Sequence, residues 1–136
     1  MRSKTFLVTG GSGFLGQALI NQLVRLPGCT VVAPMRNLSA RLAAGARSFA
    51  LNNLDGANDW QVTLNDVDVV IHAAARVHVM NEVAVDPLAA FREVNVEATL
   101  NLARQAQADL ISKLRSAAKI QRLDDASAAS RARPEE

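Results

Sequence analysis

One cysteine, two histidines and no tyrosine are all that this 136-residue chain offers among several residue types that carry covalent, metal or proton-transfer chemistry. Cys29 alone cannot close an internal disulfide, and no second Cys or His cluster gives metal-ligand spacing, so no metal site is expected. No run of about 18 uninterrupted apolar residues is present, which excludes a spanning helix. The start Met1-Arg2-Ser3-Lys4 has the charge of a signal peptide, but Phe6-Leu7-Val8 behind it is far too short for the hydrophobic part of one. A reducing cytoplasm is the expected compartment. Excess charge is scarce as well: the net charge is +2 and six of the fifteen basic residues lie beyond residue 106, so no basic patch marks a nucleic-acid partner. The length allows one domain at most, about half of what a two-domain enzyme requires.

What is present is an ordinary globular content of 49% apolar residues, arranged in alternating short and long patterns. Thr5-Phe6-Leu7-Val8-Thr9 is a β-prone run that stops at glycine, as a buried parallel strand does when it opens into a turn. Phe14, Leu15, Ala18, Leu19, Leu23 and Leu26 recur at helical spacing until Pro27-Gly28 stops them. Thr30–Ala33 reads as a second strand, with Pro34 marking where its pairing ends, and Arg47–Leu51 as a weaker third, separated by a helical segment around Ser39 to Ala44. Val67–Ala74 is the strongest strand, apolar nearly throughout, as expected of one covered on both faces. A helical pattern covers Pro87 to about Ala106 and extends through Leu110 and Leu114 toward Leu123; Ala126–Glu136 has the composition of a disordered tail. The alternation predicts an α/β fold, a Rossmann-like doubly wound parallel sheet cut short after about four strands.

Between the first strand and first helix stands Thr9-Gly10-Gly11-Ser12-Gly13-Phe14-Leu15-Gly16. Glycines at Gly10, Gly13 and Gly16, placed between strand and helix, fit a loop that cradles a dinucleotide pyrophosphate. The early glycines permit torsions and close approach, the free N–H groups at the helix start meet the phosphate charge, and Gly16 would let the helix lie close to the sheet. About twenty residues further on, where an acid would hold the ribose hydroxyls, this chain has Arg36, whose guanidinium can stack on adenine or pair with a 2′-phosphate.

These residues resemble the NAD-dependent epimerase/dehydratase family, a branch of the extended short-chain dehydrogenase/reductases. The resemblance spans roughly residues 4 to 106. It is carried by the glycine loop, by His72-Ala73-Ala74-Ala75 at the end of the fourth strand, and by Asn95-Val96-Glu97-Ala98-Thr99-Leu100-Asn101-Leu102 on the following helix. It implies an NAD or NADP cofactor held by Gly10, Gly13, Phe14, Leu15 and Gly16, with Ala73, Ala74 and Ala75 beside the ribose. Asn53-Leu54 stands where the family often has Asp-Leu at the adenine amino group. His72 and Asn95 read as structural groups that satisfy nearby backbone, while Arg76 and His78 are either surface positions or substrate-facing ones.

The resemblance also shows what is missing. The family moves a proton with a Tyr and a Lys four residues later, and this chain has no tyrosine; the position four before Lys113 is Asp109. No catalytic residue is therefore assigned. Residues 1–106 are expected to be the N-terminal part of an NAD(P)-binding domain and 107–136 a divergent helical or disordered tail, as in a gene interrupted or shifted in frame near codon 106. The expected function is the cofactor-binding portion of a nucleotide-sugar epimerase/dehydratase, catalytically incomplete as it stands. The alternative is a small non-catalytic NAD(P)-binding or interaction module. A working oxidoreductase with Asp109, Lys113 or His78 as its base is the weakest reading. A nucleotide sugar would be the ligand of a longer relative, and an open sheet edge leaves self-association as a possible partnership.

Overall fold

The computed structural model describes residues 2–77 and 79–118. His78, Ile120, Leu123 and the tail 126–136, each of which the sequence reading singled out, lie outside the described residues. The elements follow as β1 (Lys4–Thr9), α1 (Phe14–Leu23), β2 (Cys29–Met35), β3 (Ala46–Ala50), α2 (Gln61–Asn65), β4 (Val69–His72), α3 (Pro87–Arg92), a π-helical turn (Glu93–Glu97) and α4 (Ala98–Ala117). The four strands form one parallel sheet in the order β3-β2-β1-β4, so the expected Rossmann-like architecture is present.

β1 shows why the sheet is doubly wound. Successive side chains of a strand point to opposite faces, and both Leu7 and Val8 are wholly buried. Leu7 packs with Trp60, Leu64, Val67 and Leu102 on the face covered by α2 and α4. Val8 packs with Ile20, Val31 and Ala33 on the face covered by α1.

Several expected boundaries move, each for a physical reason. α1 ends at Leu23 rather than Leu26, because the next amides turn back to nearer carbonyls: Arg25 N–H donates to Gln22 O (3.2 Å) and Leu26 N–H to Leu23 O (3.1 Å). Its buried side is Gly16 and Ile20, with Leu23 and Val24 packed beside them; Phe14, Leu15 and Leu26 are exposed, so the expected apolar stripe is rotated around the helix. The helix expected around Ser39 to Ala44 does not form. Asn37 instead folds the chain into a turn, accepting from Ser39 N–H (2.9 Å) through Oδ1, while Leu42 and Ala43 pack on the core from a loop too short for a helix and two connections.

β4 pairs only from Val69 to His72, shorter than the expected Val67–Ala74, since its partner β1 ends at Thr9 and turns away into the glycine loop. Being an edge strand among the described residues, it is half-buried and not covered throughout. Pro34 behaves as its chemistry demands. Pairing of β2 with β1 stops at Leu7↔Val32, whereas pairing with β3 runs on to Met35↔Ala50. Met35 O accepts from Leu51 N–H (3.0 Å) on the β3 side, so Pro34 faces the opposite side, where no donor is needed.

α2 is an element the sequence pattern did not announce. It is five residues long, and Asp59 Oδ1 accepts from Gln61 N–H (2.9 Å) at its start. Trp60 ahead of it is buried because α4 holds its backbone: Gln105 Oε1 accepts from Trp60 N–H (2.8 Å), and Gln105 and Asn101 both donate to Asn58 O (2.8 Å each). The last helix passes position 106 without a break and continues to Ala117, in the direction the spacing of Leu110 and Leu114 foretold; both of those side chains, like Ile111, are exposed.

Candidate functional site

The order β3-β2-β1-β4 sends the chain from β1 outward to one side through β2 and β3 and to the other side at β4. The carboxyl ends of β1 and β4 therefore flank the switch point at which open α/β sheets bind ligands. A cleft of about 740 Å³ lies there. All eleven residues expected at the cofactor line it: Gly10, Gly13, Phe14, Leu15 and Gly16 from the loop and the first turn of α1, Arg36 after β2, Asn53 and Leu54 after β3, and Ala73, Ala74 and Ala75 after β4.

Two glycines build the floor. Gly10 has φ +72°, and a Cβ on it would stand 2.7 Å from both Ala73 C and Ala74 N, so the ends of β1 and β4 approach to a distance that only glycine permits. A Cβ on Gly16 would strike the Gly10 carbonyl oxygen. Gly16 therefore lets the loop fold down on the helix, where the sequence reading had it bringing the helix onto the sheet. Gly13 differs from both: its torsions are ordinary and a Cβ would meet only Gly10 O, at 3.3 Å, before open space.

Above this floor is the amino end of α1. Its cap residue is Gly13, no side chain caps the helix, and no acid lies in its first turn. The N–H groups of that turn have no intrahelical acceptor, and with the helix dipole they form a site for an anion. Phe14, 97% exposed, and Leu15 line the cleft without protein neighbours to bury them.

The far wall is held by the π-helical turn, which the sequence pattern did not reveal. Glu93 accepts from Gly56 N–H (2.9 Å), and Asn95 clasps the backbone of Arg76 twice, accepting from its N–H (2.8 Å) and donating to its O (3.0 Å). One helical turn thus ties down the loop after β3 and the loop after β4. Asn95 is structural, as read. Arg76 lines the cleft, but its guanidinium is engaged by Glu82 (2.8 Å) and lies 5.3 Å from the centroid of the Phe91 ring. The Ala84 amide, and after it Arg76, holds the Glu82 carboxyl below its usual range.

His72 is bonded at both ring nitrogens, to Thr9 Oγ1 (2.6 Å) and Thr99 Oγ1 (2.9 Å), and burial lowers its pKa. It joins β1, β4 and α4 beneath the cleft. Asp109 and Lys113, eligible as bases in sequence, pair with each other at 2.7 Å; Lys113 also donates to Leu64 O (2.9 Å) and Val67 O (3.0 Å). Those carbonyls precede β4, whereas the cleft lies beyond its other end, so neither residue is near it. Among the described residues no group of His, Cys, Asp or Glu is arranged to hold a metal, and no helix is long and apolar enough to cross a membrane.

Comparison with known proteins agrees with this geometry. UDP-glucose 4-epimerase of Vibrio cholerae is 34% identical over 103 residues, which cover 76% of this chain and 31% of that protein. The chain therefore spans about a third of the length of this curated relative. The fold matches UDP-N-acetylglucosamine 4-epimerase from Methanobrevibacter ruminantium M1, solved in complex with UDP-N-acetylmuramic acid (TM-score 0.62, 24% identity, 80% of this chain and 36% of that one). It also matches a short chain dehydrogenase from Burkholderia cenocepacia J2315 in complex with NADP (TM-score 0.63, 24% identity, 82% and 50%). The model of the NAD dependent epimerase/dehydratase family matches residues 6–123. A glycine cradle at the switch point, an uncapped helix above it and a family match over most of the chain lead to one conclusion: the chain belongs to the NAD dependent epimerase/dehydratase family.

Proposed function

We propose that this chain is the NAD(P)-binding portion of a nucleotide-sugar epimerase or dehydratase and that it carries no catalytic turnover by itself. The observation that carries the reading is the cradle: Gly10 and Gly16 bring the loop to a backbone separation that any Cβ would fill, directly under the uncapped start of α1. A pyrophosphate fits that donor set. Gly13, Phe14 and Leu15 would meet it, Arg36, Asn53 and Leu54 would flank the adenosine, and Ala73, Ala74 and Ala75 would give the second ribose a wall of small side chains. When bound, the dinucleotide supplies hydride acceptance and donation.

Every described residue lining the cleft comes from the first 94 positions, which supports reading residues 1–106 as the cofactor unit. The sugar nucleotide is a ligand of the longer relatives. Proton transfer in the family needs a phenol, and a chain without tyrosine has none.

Calorimetric titration tests the binding half of the reading. The expected result is saturable 1:1 binding of NAD⁺ or NADP⁺ in the millimolar range or tighter, abolished by Gly13→Val, whose side chain projects where the phosphate would sit. Absence of binding by both cofactors at millimolar concentration would contradict it. Sustained turnover of a UDP- or dTDP-sugar by the purified chain would contradict the other half.

A further inference from the structure

The first acidic residue of the chain is Asp55. Residues 1–54 hold six Arg and Lys and no Asp or Glu, whereas residues 55–106 hold three cations and eight acids. The cleft straddles this divide: the glycine loop, Pro34 and Arg36 come from the cationic stretch, and Asp55, Arg76 and Glu93 from the acidic one. Among the described residues its two cations, Arg36 and Arg76, are in opposite situations. Arg76 is neutralised by Glu82, while Arg36 is exposed and makes no ion pair or hydrogen bond with any described residue.

Arg36 is also well placed. It directly follows β2, whose neighbour β1 opens into the glycine loop, and Ala33 on β2 lies 3.2 Å from where a Gly11 Cβ would stand. The Asn37 turn, in which Ala40 N–H donates to Asn37 O (3.1 Å), fixes the backbone immediately behind it. A dinucleotide with its pyrophosphate over α1 lays its adenosine ribose on the end of β2. A carboxylate there would accept from the ribose hydroxyls and repel a phosphate; a guanidinium reverses both preferences, because it has five donors and no acceptor.

We propose that Arg36 reads a 2′-phosphate, so that the cleft prefers NADP(H) to NAD(H). The inference rests on the dinucleotide reading above, and its test separates the two. Dissociation constants are measured by calorimetry for NADP⁺ against NAD⁺, and for adenosine 2′,5′-bisphosphate against 5′-AMP, which isolates the one phosphate. The phosphorylated member of each pair is expected to bind about tenfold tighter or more, as a charge-assisted pair implies.

Arg36→Glu should erase or invert both ratios by weakening the phosphorylated member of each pair, and Arg36→Gln should reduce them to about twofold. Arg25→Glu makes the same charge change beyond the carboxyl end of α1, away from the cleft, and should keep the tenfold preference. Thermal melts confirm that each variant folds. Equal binding of the two cofactors by the unaltered chain, or a preference that survives Arg36→Glu, overturns the role of Arg36 and leaves dinucleotide binding standing. Failure of every nucleotide to bind overturns both.

Discussion

The hydroxyl of Thr9, at the end of β1, lies 2.6 Å from Nδ1 of His72, at the end of β4. The Ala74 amide donates to that same hydroxyl oxygen at 3.3 Å, and the other ring nitrogen lies 2.9 Å from Thr99 Oγ1 on α4. Each of the two threonine hydroxyls can donate or accept, so both ring nitrogens of His72 are satisfied. The ring is held in a partly buried place, where burial disfavours its charged form.

This gives stability a defined pH dependence. Burial lowers the His72 pKa from its ordinary value of 6.5. The unfolded chain therefore takes up the proton first as pH falls, and the stability present above about pH 6.5 declines between there and the lower folded-state value. Denaturant melts from pH 8 to 5 are expected to show that decline. His72→Gln, in a His78→Gln background that removes the other histidine, should flatten it. An unchanged slope in the double variant would show that another group is responsible.

The glycine cradle separates folding from binding. Gly16→Ala drives a Cβ into the Gly10 carbonyl, a backbone group with no rotamer to yield, and is expected to cost about 1–3 kcal/mol of stability. Gly13→Ala meets only a 3.3 Å contact at ordinary torsions and should cost about 1 kcal/mol or less, the usual difference at a helix cap. Chemical denaturation measures both, and a reversed order would place the tight approach elsewhere.

Asn95 should act on one loop. Asn95→Ala removes both bonds to the Arg76 backbone and is expected to cost about 1–3 kcal/mol, with amide exchange accelerating first around Arg76. Glu93→Gln should do the same more mildly at Gly56. Uniform acceleration across the sheet would mean that the π-helical turn supports the whole domain and not its cleft loops.

Much of this was legible in the sequence. Periodicity located all four strands, and the glycine spacing together with the family resemblance named eleven residues that converge on one cleft. Three features were hidden, each for a reason of scale. α2 is five residues long with Leu64 as its buried residue, too brief to show a period. The π-helical turn leaves the apolar spacing of Phe91, Val94 and Leu102 nearly helical, and its visible trace is the mid-helix Asn95, whose amide serves another loop. The segment from Ser39 to Ala44 has helix-forming residues, but tertiary packing of Leu42 and Ala43 and the Asn37 turn override that propensity.

The outer side of β4 has no partner strand among the described residues, and Leu110, Ile111 and Leu114 on α4 are themselves exposed. An unpaired edge with apolar neighbours favours association. Sedimentation of the isolated 136-residue chain is expected to show concentration-dependent self-association or aggregation. A monodisperse monomer with a cooperative melt above about 60 °C, the upper range for mesophilic domains, would show that this edge is closed.

The central claim, that a dinucleotide sits on the loop from Gly10 to Gly16 with its length laid across the strand ends, is tested most directly by titrating NADP⁺ and NAD⁺ into isotope-labelled protein and following the backbone amides by NMR. The account predicts saturable shifts concentrated at Gly10–Gly16, Arg36, Asn53 and Ala73–Ala75, with little change at Asp109 and Lys113. Shifts that cluster away from the glycine loop, or that persist unchanged in Gly13→Val, would contradict it.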